Sequence, residues 1–478
     1  MTAPPTEPDP RRWRILAVVL FVGFMSLLDV TIVNVAIPSI QEGLDTTAGT
    51  VQWIVSGYAL AFGLLLVAGG RLGDALGRRR LMMIGLSGFV LSSALVGLAP
   101  SAELAVAARL AQGASAGLLT PQSAGLIQQL FSGAERGRAF GYFGLTVSIA
   151  SGTGPLLGGL ILGAAGDELG WRLLFLINVP LGAIALVAIA RLVPDRDPDA
   201  RREHIDVGGA VLLGLAVLSL LYPIVSLESG QTWSLVLLVG LPLFGWLFVL
   251  WERRVRRRNL EPLLDINLLR RLPGYSSGMA IGTLYFTGFT GVFLATSVWL
   301  QTSRDLSAFD TGLILTPFAL GSAITAPLAG RLVSVIGRRI TVIAISVMIT
   351  GLAGATLVAP SAANEDLWWA LCPFMLLAGL GGGGVISPNI TLTLAEVPPR
   401  MGGAAGGALQ TGQRLGSSLG AALLMTVYQL VSSATDGDTG LRAAFGVALV
   451  IIAVTLAAAV RDLSAGTRSL SPQPSTYE

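Results

Sequence analysis

One ten-residue segment of this chain occurs twice. Gly70-Arg71-Leu72-Gly73-Asp74-Ala75-Leu76-Gly77-Arg78-Arg79 returns 260 residues later as Gly330-Arg331-Leu332-Val333-Ser334-Val335-Ile336-Gly337-Arg338-Arg339, identical at six of ten positions. Both copies lie in a short polar stretch between two long apolar runs. A chain that repeats a polar punctuation mark inside apolar sequence is built from two related membrane units, and the offset shows where they divide.

The apolar runs support this. Mean hydropathy is +0.72 and only 12% of the 478 residues are charged. Runs of about 20 apolar residues cross a bilayer as helices. A β-barrel would instead show segments of about 10 residues alternating in polarity, which are absent. Fourteen spans are expected, at 15–38, 48–70, 80–99, 102–125, 137–163, 171–192, 207–225, 233–251, 276–300, 309–329, 339–358, 367–389, 402–428 and 441–460. The first run is too long for a signal-peptide core and carries Asp29, so it reads as a retained helix.

Orientation follows from the basic residues, all of which are arginine. With the N-terminus inside, 26 arginines fall in inside segments and only Arg172, Arg304 and Arg442 fall outside. This places both termini in the cytoplasm. It also accounts for the pI of 9.3 without nucleic acid. Cys372 and His204 are the only cysteine and histidine. They allow no intrachain disulfide and no zinc cluster, and no cofactor is expected.

Two adjacent six-helix units would repeat at an offset near 200 residues. The observed 260 leaves room for two more helices, so the expected fold is all-α and integral to the membrane, with fourteen transmembrane helices as 6+2+6. Weaker matches agree. Gly117 to Pro121 echoes Gly384 to Pro388, and Arg172 with Phe175 echoes Arg442 with Phe445. The expected division is a cytoplasmic segment 1–14, a six-helix bundle 15–192, a linker with two inserted helices 193–275, a second bundle 276–460 and a disordered cytoplasmic tail 461–478. Parallel repeats of this kind rock about a site near the midplane.

Four motifs in order resemble the major facilitator superfamily, specifically its fourteen-helix drug:proton antiporter branch. They are Leu28 to Pro38 in the first helix, Gly70 to Arg80 after the second, Arg109 to Gly113 in the fourth, and Gly152 to Gly159 in the fifth. The resemblance covers about residues 12–462. It implies two pseudo-symmetric bundles, transport by alternating access, and a loop that latches the cytoplasmic face in one state. That latch comprises Gly70, Arg71, Gly73, Asp74, Gly77, Arg78 and Arg79. Asp74 is expected at the positive N-terminal end of a helix in the other half, the thirteenth. Ser334 replaces Asp74 in the second copy, so only one latch is charged. The antiporter helix comprises Gly152, Gly154, Pro155, Gly158 and Gly159. Close packing alone is its other reading.

Read residue by residue, Asp29 is the only carboxylate well inside any span. At mid-bilayer a carboxylate costs roughly 2.5–3.5 kcal/mol on insertion scales, so it faces the bundle interior or a water-filled cavity. There it can exchange a proton, bind substrate, or simply tie one helix to another. Arg109 stays charged and so cannot carry the proton itself. It tunes a nearby carboxylate or snorkels to the outer surface, and Gln112 lies one turn on. Asn34 belongs to the same candidate set. Arg414 and Gln410, one turn apart in the thirteenth helix, form a second polar cluster that pairs with a substrate anion or fixes packing. Sodium with Asp29 and Thr31 is an alternative to proton coupling. Glu135 and Glu396 lie in matching cytoplasmic loops and read as solvated surface charges.

The function expected is proton-coupled export of lipophilic or amphipathic drugs across the cell's inner (cytoplasmic) membrane. The partners are small lipophilic or cationic molecules, protons and membrane lipids, with no nucleic acid, and a monomer is expected. Export of an endogenous metabolite or lipid is the alternative, and a non-transporting membrane sensor a remote one. No acid–base dyad, metal set or nucleophile–base pair supports an enzyme, and no nucleotide-binding motif supports coupling to ATP.

Overall fold

The computed structural model describes residues 9–195, 206–228, 233–258, 260, 262–264 and 271–469. Fourteen long helices follow one another among them, here α1 to α14. They are α1 Arg12–Gly43, α2 Ala48–Leu76, α3 Arg78–Gly97, α4 Ala102–Leu130, α5 Gly133–Gly166, α6 Glu168–Leu192, α7 Val207–Glu228, α8 Trp233–Arg257, α9 Pro273–Thr302, α10 Ala308–Ile336, α11 Arg339–Val358, α12 Leu367–Thr393, α13 Gly402–Ala434 and α14 Gly437–Ser469. Thirteen of these are both long and apolar enough to cross a membrane. The exception is α4, which is as long but carries Arg109, Gln112, Gln122 and Gln128, all buried.

Helix ends follow local chemistry, and the repeat governs where they fall. Thr47 accepts from the amide of Thr50 at the start of α2, and Ser307, 260 residues on, accepts from that of Asp310 at the start of α10. Each satisfies an amide that the first turn leaves unpaired. Gly77 ends α2 at φ 98° and Gly337 ends α10 at φ 55°, a backbone region that glycine enters without penalty. Within α6 the ladder breaks at Ile177, because Pro180 has no amide to donate one turn back.

These details correct two expectations. The segment from Gly70 to Arg79 is not a loop. Helix continues to Leu76 and resumes at Arg78, with Gly77 alone between them. Gly70 and Gly73 are helical, and their missing side chains serve close approach rather than a turn. A Cβ on Gly70 would collide with the backbone of Gly403, and one on Gly73 with the Gln122 side chain. Likewise, α14 runs on to Ser469, into the stretch expected to be disordered from 461. Asp462 anchors it through Arg338 on the neighbouring turn, at 2.6 Å. Residues 470–478, and His204 in the first linker, lie outside the described residues.

The buried apolar residues form two main groups. One joins α1, α2, α3, α4 and α6 through Val22, Tyr58, Phe62, Phe89 and Leu119. The other joins α9 to α14 through Tyr285, Trp299, Met348, Leu371 and Phe445. A third group, at the face where α1 begins and α14 ends, crosses between them: Leu16, Phe131 and Phe140 meet Tyr275, Ile390, Leu394 and Leu409. Helices α7 and α8 pair with each other. Helix α7 lies against α2 and α13 through Leu60, Val217 and Leu221. Large apolar side chains such as Leu91, Leu160 and Trp369 are exposed, as lipid-facing residues are.

Candidate functional site

Asp29 is 1% exposed and lies at the centre of the first group of helices. Three donors from two other helices converge on it. Arg109 donates to Oδ2 at 2.6 Å, while Gln112 and Asn178 each donate to Oδ1 at 2.9 Å. Arg109 also donates through Nε to the Ile54 carbonyl at 2.9 Å and through a terminal nitrogen to Gln112 Oε1 at 2.8 Å. Its guanidinium stacks 4.3 Å from the Tyr58 ring centroid. Asn178 reaches Ser93 at 3.0 Å, and Ser93 donates to the Phe175 carbonyl. A buried ion pair persists when its remaining hydrogen-bonding capacity is also met, and this network meets it with five helices, α1, α2, α3, α4 and α6.

The structure therefore joins Asp29, Arg109 and Gln112. The snorkelling alternative for Arg109 fails, because its side chain is 1% exposed. Asn34 does not belong. It sits exposed in a 3-10 turn, Val33–Ala36, five residues past Asp29, a spacing that points away from the Asp29 face of a helix. The Thr31 hydroxyl lies within 3.3 Å of the carbonyls of Leu27, Leu28 and Ala150 and donates its one proton among them. Sequence reasoning missed Tyr58, Ser93 and Asn178. Asn178, a strongly polar residue inside an apolar run, was the available signal.

Helix α5 packs on α1 directly beside this network. A Cβ on Gly154 would collide with the Thr31 side chain, and one on Gly158 would lie 3.2 Å from Ile32. Gly152 faces the other way, toward Ala319 of α10 at 3.2 Å, and Gly159 faces open space. Pro155 lies inside the helix backbone. Gly154→Val should therefore destabilise the protein by about 1–3 kcal/mol through overpacking, whereas Gly159→Val should leave it unchanged. Thermal unfolding in detergent reads both. Equal damage from the two would refute this account of the motif.

A second cluster closes the face where α1 begins and α14 ends. Asp74 accepts from the amides of Gly403 at 3.1 Å and Ala404 at 2.9 Å, the first turn of α13. It also pairs with Arg78 at 2.8 Å. Arg78 donates onward to the carbonyls of Pro399, at 2.8 Å, and Gly125, so it ties α3 to α4 and to the chain before α13. Gln128 donates to the Leu394 carbonyl, another bond across the same seam. Arg71 is buried, and Arg79 binds Asp195 and the Ala190 carbonyl at the end of α6. On the opposite seam, Gly137 and Gly141 of α5 meet Gly330 of α10 backbone to backbone. Gly70 against Gly403 and Gly330 against Gly137 are thus equivalent contacts of the two copies. Farther along this seam, Ser148 meets Ser322 at 2.8 Å and Gly152 approaches Ala319.

Among the described residues, the second copy has no charged contact to the other half. Ser334 bonds only its own helix, while Arg338 donates to Asp462 and to Asn389, at 2.8 Å, within its own half. Burial lowers the pKa of Arg338, and Asp462 opposes the shift. Arg172 and Arg442 also act alike: the first donates to the Gly97 and Ala99 carbonyls after α3, the second to Ser361 after α11. Glu135 pairs with Arg12 at 3.0 Å near the surface. Arg414 and Gln410 do not form one cluster. Arg414 lies 4.7 Å from the Phe62 ring, while Gln410 lines a small gap with Phe140, Phe143 and Leu394.

Fourteen long helices, a buried ion pair between them and one sealed face define a helical membrane transporter. Residues 19–421 and, overlapping them, 278–475 match the family model of the Major Facilitator Superfamily. The chain belongs to this superfamily, and it is a multi-pass membrane protein, not an enzyme. A probable actinorhodin transporter of Streptomyces coelicolor is 35% identical over 450 residues, 92% of this chain and 78% of that one. The puromycin resistance protein pur8 of Streptomyces alboniger is 35% identical over 436 residues, 91% and 85% of the two chains. The multidrug resistance protein Stp of Mycobacterium tuberculosis is 34% identical over 427 residues, 86% and 75%. Among solved structures, the human organic anion transporter MFSD10 superposes with a TM-score of 0.69 at 19% identity, covering 94% of this chain and 100% of that one. The proton:xylose symporter XylE does so with 0.66 at 15% identity, covering 94% and 95%.

Proposed function

We propose that this protein exports lipophilic or amphipathic small molecules, antibiotics among them, in exchange for protons and by alternating access. The buried Asp29 network carries the reading. Asp29 is the one carboxylate at mid-membrane, and every group around it donates. A proton arriving on Asp29 removes the charge that holds Arg109, so proton binding and the packing of α1 on α4 become one event. Relatives named for resistance to, or export of, antibiotics support the cargo class.

The helices fit a 6+2+6 arrangement, with bundles 15–192 and 276–460 and the pair α7 and α8 inserted within 193–275. Both termini lie in the cytoplasm and the protein sits in the cell's inner membrane as a monomer, an orientation the arginine distribution supports. The sealed face is then cytoplasmic, and the state is closed inward. Export of a product of the cell's own metabolism is the second reading. The likeness to the tetracenomycin C resistance and export protein of Streptomyces glaucescens favours it.

The test is ethidium efflux from proteoliposomes under an imposed pH gradient. Wild type should require the gradient, and Asp29→Asn should abolish gradient-driven efflux. Full gradient-driven transport by the variant would remove Asp29 from the mechanism.

A further inference from the structure

We infer that Arg414 is a binding residue for the anionic oxygens of planar aromatic substrates, carboxylates or phenolates. This rests on the transporter reading above and narrows its substrate class. Three charges lie in the middle of the membrane-spanning helices. Asp29 and Arg109 neutralise each other at 2.6 Å, which leaves the positive charge of Arg414.

That charge has no counter-ion. Among the described residues Arg414 makes no ion pair and no hydrogen bond. It is half-buried. A guanidinium presents five N–H donors in a rigid fork that matches a carboxylate, and it is not deprotonated in proteins. Removing such a group from bulk water without pairing it is unfavourable. Stacking on Phe62 occupies the face of the guanidinium and leaves its N–H edges unused.

The surroundings suit an aromatic anion. Tyr58 and Phe62 are stacked with an interplanar angle of 7°, and an arginine lies over each ring. Arg414 follows Gly407, which packs tightly on the backbone of Leu66 and Val67, by about 10 Å along α13. It therefore lies about two turns beyond the tightly packed stretch, still in contact with α2 through Phe62. A cationic substrate would meet a net positive charge here.

The experiment uses fluorescein and pyronin Y, an anionic and a cationic dye built on the same xanthene ring. Binding to the purified full-length protein is read by fluorescence anisotropy. Fluorescein should bind about tenfold more tightly than pyronin Y, a difference that one added charge-assisted contact supports. Arg414→Gln should remove that advantage and leave pyronin Y unchanged or improved. Arg414→Lys should keep part of it. Tighter binding of pyronin Y, binding of neither dye, or equal loss of both in Arg414→Gln would overturn the assignment. Fluorescein binding that depends on Arg414, without efflux of either dye from proteoliposomes, would uphold it and refute the export reading.

Discussion

Arg109→Ala should destabilise the protein by roughly 3–5 kcal/mol, the cost of leaving one member of a buried ion pair alone. The loss has a structural origin. Asp29 would keep its bonds to Gln112 and Asn178 but lose its counter-ion, and the Ile54 carbonyl would lose its side-chain donor. The double variant Asp29→Asn with Arg109→Gln should recover most of that stability, because two neutral amides can bond each other in the same space. It should not recover gradient-driven transport. Thermal unfolding in detergent, with proteoliposome efflux on the same preparations, separates the two effects. If Arg109→Ala unfolded at the wild-type temperature, the pair would not be the structural centre of its half.

Asp74→Asn should act on conformation and leave folding largely intact. Asp74 gathers two amides of α13 and the Arg78 guanidinium, all at the seam between halves. An asparagine keeps one acceptor oxygen and no charge. The expected cost to the closed state is roughly 2 kcal/mol, a population shift of about thirtyfold. Expression should stay near wild type while turnover falls, and spin labels on the sealed ends of α3 and α13 should move apart. Gly70→Val should shift the labels the same way by a different route, because its side chain would press on the Gly403 backbone. Equal losses of expression and turnover, with unmoved labels, would reduce the cluster to ordinary structural packing.

Much of this was legible in the sequence because a bilayer leaves few choices. Apolar runs had to be helices, and the repeat carried its caps with it, Thr47 with Ser307 and Gly77 with Gly337. Asp29 stood out because a lone carboxylate in an apolar run has no inexpensive alternative. The errors came where spacing along the chain cannot report direction around a helix. Asn34 lies close to Asp29 in sequence, but a five-residue step along the helix turns it away. Gln410 and Arg414 share a helix face by count, yet one meets Phe140 and the other Phe62. Asp462 looked like part of a polar tail, and its partner Arg338 lies 124 residues away. Asn178 joins the network from the residue that follows the break in α6 at Ile177, a position that an apolar run does not announce.

Helix α4, too polar to stand among the thirteen apolar spans, has a consequence for how the chain is made. A segment carrying Arg109 and three buried glutamines inserts poorly alone, since each such group meets hydrocarbon before it meets a partner. Asp29 is synthesised 80 residues ahead of Arg109, so α1 must wait in the membrane with its carboxylate uncompensated until α4 arrives. The ion pair is thus formed during biogenesis, and the first four helices become the smallest nascent fragment in which both charges have a home. A chain arrested before Leu130 would expose Asp29 to lipid and present a ready mark for quality-control proteolysis.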